Sequence, residues 1–518
     1  MGSGRQGTAL ADRGAVPAGF AKHMKHGQKL VRTGKLSEAI GSFEAALAMR
    51  PNDPGALFAL GNVARDLGMA DVAVKMFEMV LQVKPESIEA ANNLGNVHRA
   101  RGDYDAAIGV FRLAIAATPD KPVLWSNLAS TVMGKGDFDN AQTFYEEALR
   151  LHPHHGETLG NLAELFSNMG RYEDAEPYFQ RALKKLPKSA QLRLNYSRTL
   201  MAMGRLDEAW ENYEYRLKPD LPKAVDYRHK LRRWRGDKPA ERTILVSGEQ
   251  GIGDQLLLAS CLGDLVGQAG HVVVEIEPRL VALFQRSFPS AAIHPYDMAV
   301  ADGRPRFSYE WLKGTDRPDA AIPIGSLPGL YRVDAASFPD RPQPYLVPDP
   351  VERETWRQRL AALGPGPKVG ICWRSGNLTA ARQWGYTDLA DWQEIFSAPD
   401  VNFVSLQYDE CGEELVAARA RFGVDIHAFD DIDLKNELDR SAALTAELDL
   451  VLSAPTAVLA MAGALAVPAI MMGWGWFTLG TGGWPLQPSV RPVWDDFRSP
   501  SVPKTAAALR TFLSDGHL

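Results

Sequence analysis

The chain has 518 residues, too many for one compact core, and length alone points to about three units. Hydrophobic residues make up 45% and charged residues 23%, as in an ordinary globular protein, and the net charge of -6 gives no global pull toward nucleic acid or an anionic membrane. Cys261, Cys372 and Cys411 are odd in number and lack metal-ligand spacing, which argues against a disulfide framework and against a zinc site.

Residues 1–19 are rich in Gly and Ala, lack the apolar core of a signal peptide, and read as a disordered leader. No stretch is long and apolar enough to span a bilayer: Val458 to Met472 comes nearest, but it is short and holds Pro468. A cytoplasmic location follows as the expectation.

From residue 20 to residue 218 one 34-residue pattern recurs six times. Gly34, Gly68, Gly102, Gly136, Gly170 and Gly204 form one column, placed to end the first helix of each unit. Ala39, Ala73, Ala107, Ala141, Ala175 and Ala209 form a second, which lets the two helices cross closely. Phe43, Phe77, Phe111, Tyr145, Phe179 and Tyr213 fill the gap to the next unit, and Pro51, Pro85, Pro119, Pro153 and Pro187 end the second helices. This is the tetratricopeptide pattern, an α-solenoid of helix pairs. Asn93, Asn127, Asn161 and Asn195 hold one position of successive first helices, which line the concave wall. An amide ladder there suits the backbone of an extended acceptor peptide; bonding to neighbouring groups that steadies the array is the alternative. The column resembles the asparagine ladder of the protein O-linked N-acetylglucosamine transferases, which hold acceptor polypeptides this way.

Residues 219–241 read as a basic linker. Arg228, Lys230, Arg232, Arg233 and Arg235 fall close together, as on a solvated face, and no nucleic-acid-binding motif accompanies them.

Beyond residue 242 the pattern changes to alternating strands and helices, the mark of parallel sheets. A strand at 243–247 meets the glycine-rich turn Gly248-Glu249-Gln250-Gly251-Ile252-Gly253-Asp254, followed by a helix at 255–267, a strand at 272–276 and a helix at 279–288. After a less regular stretch, 344–350 reads as a crossover linker. Strands at 368–373, 402–406, 448–453 and 467–471 follow, the third entering Ala454-Pro455-Thr456 and a small-residue helix at 457–465. The expected organisation is a first lobe at 242–345, a second at 346–500, and a terminal helix in 501–518 that returns to the first lobe. Two such α/β halves suggest Rossmann-like lobes with a ligand cleft beyond the strand ends.

Strand plus GEQGIGD plus helix in one half, with VGICWRSGN, FVSLQYDE and LDLVLSAPTAVLAMAGALAVPA in the other, resembles the twin-lobed (GT-B) glycosyltransferases of the family 9 heptosyltransferase type. Joined to the repeats, the architecture is similar to bacterial protein glycosyltransferases, including those proposed to modify flagellin. That resemblance implies a sugar moved from a nucleotide-sugar to a Ser or Thr of a protein acceptor held by the repeats, flagellin being a candidate, with no metal and no other cofactor.

By motif match the resemblance makes Asp254 the general base on the acceptor hydroxyl, although its position also suits a helix cap. Gly251 and Gly253 would let the acceptor come close to the backbone. Thr456, Ala457 and Val458, after Pro455, open a helix whose free N–H groups favour the donor phosphate. Arg374, with Ser375, and Arg382 would supply charge to the leaving phosphate, while Gln407 and Asp409 follow the strand that carries an acid to the ribose. The chain departs from the family where an acid and a histidine are usual and Pro455 and Ala460 stand instead. That change fits a different donor, such as a CMP-linked nonulosonic acid, or a weakened enzyme. Trp474, Trp476, Phe477 and Trp484 read either as packing or as a stacking surface. The alternatives to a protein glycosyltransferase are a binding scaffold with a degenerate transferase domain and a lipopolysaccharide sugar transferase.

Overall fold

The computed structural model describes residues 18–249, 251–301, 303–313, 317–376, 385–473, 478–479, 483–495 and 500–518. Almost all of the expected leader lies outside them. The chain divides into two compact units, the first ending at Leu165 and the second running from Phe166 to Leu518.

Twelve helices fill Ala18 to Tyr213. All six glycines of the first column have positive φ, between 73° and 92°, so each ends its helix in the left-handed region that glycine enters without strain. All six column alanines are fully buried. The aromatic column is buried too, and each ring needs a small residue on the facing first helix: a Cβ added to Gly61 would lie 2.8 Å from the Phe77 ring, and one on Gly27 2.7 Å from Phe43. The same repeat position holds Gly95, Ala129, Ala163 and Ser197 farther along. Side-chain caps start several helices, as where Asp53 accepts from the N–H groups of Gly55 and Ala56.

The second unit carries the last repeat and fourteen strands among its described residues. β1 (Asp226–Tyr227) and β2 (Arg232–Arg233) precede β3 (Thr243–Ser247), β4 (His271–Ile276), β5 (Ala292–Pro295), β6 (Asp297–Ala301), β7 (Arg304–Ser308) and β8 (Ala320–Pro323). The first sheet is parallel, in the order β2-β8-β3-β4-β5. A small sheet, β1-β7-β6, contains the β6–β7 hairpin. β9 (Lys368–Cys372), β10 (Asn402–Ser405), β11 (Ile426–His427), β12 (Leu450–Ser453), β13 (Ala469–Met472) and β14 (Val490–Val493) form a second parallel sheet in the order β11-β10-β9-β12-β13-β14. Numbered from its own first strand, that order is 3-2-1-4-5-6, the doubly wound arrangement that opens a ligand crevice where the order reverses, between β9 and β12. Both central strands are buried along their whole length, and apart from Lys368 at the start of β9 and Ser453 at the end of β12 they carry no polar side chain.

Three expectations change. Residues 219–241 are more than a solvated linker: Arg228, Lys230, Arg232 and Arg235 are exposed as expected, but β1 and β2 join two different sheets, Trp234 is buried, and Arg233 pairs with Glu214 at 2.6 Å. Strands of two residues carry no periodicity to read. The less regular stretch before residue 344 holds β5 to β8. The terminal helix, Val502–Asp515, packs on the second sheet and not on the first lobe: Ala506, Leu509 and Phe512 join the core around Ile371, Trp373 and Trp392. That core offers this apolar face a partner on its own side.

Several bonds tie the two large sheets together. Arg286 forms a two-armed pair with Asp439 at 2.8 and 2.9 Å, and the Tyr345 hydroxyl donates to the Leu256 carbonyl while accepting from Gln487.

Candidate functional site

A cleft of about 930 Å³ opens beyond the C-terminal ends of both large sheets, within the second unit. On the first-sheet side it is lined by Gly251, Ile252, Gly253 and Asp254, and on the other by Ser375, Tyr408 and the run Pro455 to Met461. The sequence-derived candidates Asp254, Gly251, Gly253, Ser375, Pro455, Thr456, Ala457 and Val458 therefore meet in one place.

The glycine turn explains how. Gly251 has φ of 92°, and a Cβ there would sit 2.7 Å from Asp254 Oδ2, so its bareness accommodates the carboxylate that follows it. A Cβ on Gly253 would come to 3.4 Å from Ala457 Cα, an ordinary contact, so the turn here lies directly against the second-sheet helix. The turn is braced from behind. Gln255, fully buried, accepts from the Glu277 N–H at 3.0 Å and donates to the Glu249 carbonyl. The Glu249 carboxylate receives two bonds from Arg216, at 2.9 and 2.7 Å, and one from the Gly325 N–H at 2.8 Å. Arg216 belongs to the short 3-10 turn Glu214–Leu217 that closes the last repeat.

Across the cleft, helix Ala457–Ala464 begins without a side-chain cap. The Thr456 hydroxyl turns instead to Ser453 Oγ at 3.2 Å and Cys372 Sγ at 3.7 Å. Its first turn thus lines the cleft with backbone N–H groups and the positive end of the helix dipole.

Other candidates stand elsewhere. Arg374 does not line the cleft: its guanidinium is committed to Glu414 on helix Gly412–Phe422 and to the Glu410 carbonyl at 2.8 Å. Burial works against the Glu414 charge, yet the Arg374 guanidinium holds its carboxyl below the usual range. Gln407 is buried and pins the segment after β9, donating to the Arg374 carbonyl at 3.0 Å and accepting from the Arg374 N–H at 3.3 Å. Asp409 lies 3.6 Å from Lys435 and 3.9 Å from Arg374. These three fix the loop that presents Ser375, whose hydroxyl accepts from Tyr408 at 3.1 Å. Arg382 lies outside the described residues, as do Trp474, Trp476 and Phe477; Trp484 is buried and lines the cleft.

Three of the four column asparagines form bonds within the repeats. Asn93 donates to Asn62 at 2.8 Å and Asn127 donates to Asn92, so these amides bridge neighbouring helices. Asn161 is half-buried, and Asn195 accepts from Gln191 at 2.7 Å.

Sequence reasoning missed the cleft's cations. Arg198, Arg279 and Lys435 all line it, and Arg279 donates to the Lys435 carbonyl at 2.9 Å. No pattern marks Arg279 or Lys435, but Arg198 falls three residues after Asn195, a spacing that was legible. Among the described residues no cluster of three or more His, Cys, Asp or Glu suits a metal ion, and no helix is long and apolar enough to cross a membrane.

Comparison with known proteins agrees on the repeats. Residues 24–220 match the family described as the cilia and flagella-associated protein 70 C-terminal domain. Protein FlbA of Caulobacter vibrioides is 36% identical over 315 residues, covering 58% of this chain, and this chain spans about half (52%) of that relative's length. Among solved structures, MamA from Desulfovibrio magneticus is 21% identical, covering 34% of this chain and 100% of its own, with a TM-score of 0.31. A thermophilic TPR protein of Thermus thermophilus is 25% identical, covering 35% and 99%, also with a TM-score of 0.31. The class defined by the pattern, the fold and the family match is a tetratricopeptide-repeat protein, here carrying two parallel α/β sheets. Its likeness to FlbA reaches past the repeats, since the 315 aligned residues outnumber those matched by the repeat family at 24–220.

Proposed function

We propose that the second unit is a GT-B glycosyltransferase that moves a sugar from a nucleotide-sugar to a hydroxyl of a protein acceptor. One observation carries the reading: a carboxylate on the glycine turn of one parallel sheet and an uncapped helix start on the other line the same cleft. In the proposed step Asp254 takes the acceptor hydroxyl proton and the oxygen attacks the anomeric carbon. The bond from that carbon to the nucleotide phosphate breaks, and the leaving phosphate is received by the N–H groups of Ala457 and Val458, with Arg279 and Lys435 supplying charge. In this account Arg374 orders the Ser375 loop and does not touch the phosphate. Flagellin is the candidate acceptor and a CMP-linked nonulosonic acid the candidate donor, both on the strength of motif resemblance.

The test is the melting temperature of the full chain with CMP, UMP, UDP, GDP and ADP. The reading expects one of them to raise it, since a ligand that binds only the folded state stabilises by mass action. A second reading, a scaffold whose α/β unit no longer catalyses, is favoured by Pro455 and Ala460 in the cleft wall. A flat response to every nucleotide would decide for the scaffold.

A further inference from the structure

The sixth repeat supplies a wall of the cleft. Helix Ala190–Ala202 carries Arg198, half-buried, among the lining residues that include Gly251 and Asp254. The phenol of Tyr213, on the partner helix of the same repeat, lies within electrostatic reach of both Arg198 and Asp254. Asn195 sits three residues before Arg198, so the two side chains share one face of that helix. The face that presents the last amide of the column thus also presents a guanidinium to the cleft that the proposed base lines.

Resting on the transferase reading, we propose that Arg198 is an acceptor-binding residue: its N–H fork takes backbone carbonyls of the polypeptide next to the hydroxyl that reacts. The chemistry fits the acceptor better than the donor. The Asp254 carboxylate in the same cleft disfavours a phosphate on its side, whereas the helix start and the cations Arg279 and Lys435 give the phosphate its own place. A guanidinium offers five fixed donors and no acceptor, which suits a row of carbonyl oxygens in an extended chain. The last repeat is then part of the active site and hands the acceptor to Asp254.

The experiment uses the full chain with Arg198→Met, which keeps the packing of the stem, with Arg198→Lys, and with Asp254→Asn as reference. Each is scored for protein-linked glycan by mass spectrometry of the producing cells, and for the melting temperature of the purified protein with and without the nucleotide panel. The expected result is at least a tenfold loss of glycan occupancy in Arg198→Met, partial recovery in Arg198→Lys, and the wild-type nucleotide response in both. Wild-type glycan in Arg198→Met, while Asp254→Asn abolishes it, overturns the inference and leaves the transferase reading standing. Loss of the nucleotide response places Arg198 on the donor side, and a lowered melting temperature without ligand makes it structural; either result overturns the inference. Wild-type glycan in Asp254→Asn instead removes the reading on which it rests.

Discussion

At the scale of single residues, Asp254 is held by a turn built to leave it room, and Gly251 makes that room. Asp254→Asn is therefore expected to fold normally and lose about 10²- to 10⁴-fold in transfer rate, the usual contribution of general base catalysis, measured as sugar transferred per enzyme. Glu275 poses a separate question. It is fully buried at the end of β4, and burial pushes its carboxyl up to about 8, with the Tyr309 hydroxyl, donating at 2.7 Å, only partly opposing the shift. A folded-state value above the unfolded one favours the neutral form. Its contribution is thus complete below the ordinary carboxylate range and falls as pH rises through 8. Glu275→Gln should flatten the loss of melting temperature between about pH 5 and 8, and a variant as pH-sensitive as the wild type would refute this assignment. The motifs made Asp254, Thr456 and Ser375 legible in the sequence, because each belongs to the turn or helix start that follows a largely apolar strand. Arg374 occupies a strand end as well, but which way a side chain turns depends on Glu414, forty residues away in sequence, and no local pattern records that.

At the scale of elements, the repeats were readable column by column because each column has one physical task. Only the small residues facing the aromatic column escaped notice, since glycine, alanine and serine all satisfy that task. Two substitutions probe it. Phe111→Ala should cost about 3–5 kcal/mol by opening a cavity in a fully buried site. Gly61→Val should cost about 1–3 kcal/mol by forcing its side chain against the Phe77 ring. Denaturant titration of the full chain measures both, and a loss under about half a kcal/mol in either would contradict the packing account. β1, β2 and β11 were illegible for the opposite reason: a strand of two residues has neither alternation nor an apolar run. The destination of the terminal helix was equally hidden, because an amphipathic face does not name the surface it covers.

At the scale of the whole chain, the natural boundary does not fall where the repeat pattern ends. Trp210 of the last repeat is buried and donates to the Arg332 carbonyl at 2.8 Å, while Arg216 pairs with Glu249 in the glycine turn. A chain starting at residue 166 should melt as a cooperative unit, whereas one starting at residue 219 strips the half-buried Glu249 of its Arg216 cation and the Arg332 carbonyl of Trp210, and should melt well below it or precipitate. Equal melting temperatures for the two would show that the last repeat is dispensable to the α/β fold. The central claim is that the cleft transfers a sugar to protein, and intact-protein mass spectrometry of cells carrying the wild-type chain or Asp254→Asn tests it most directly. The account predicts that a protein bearing a sugar mass in the first loses that mass in the second, at equal levels of the chain; the same sugar mass in both would contradict it.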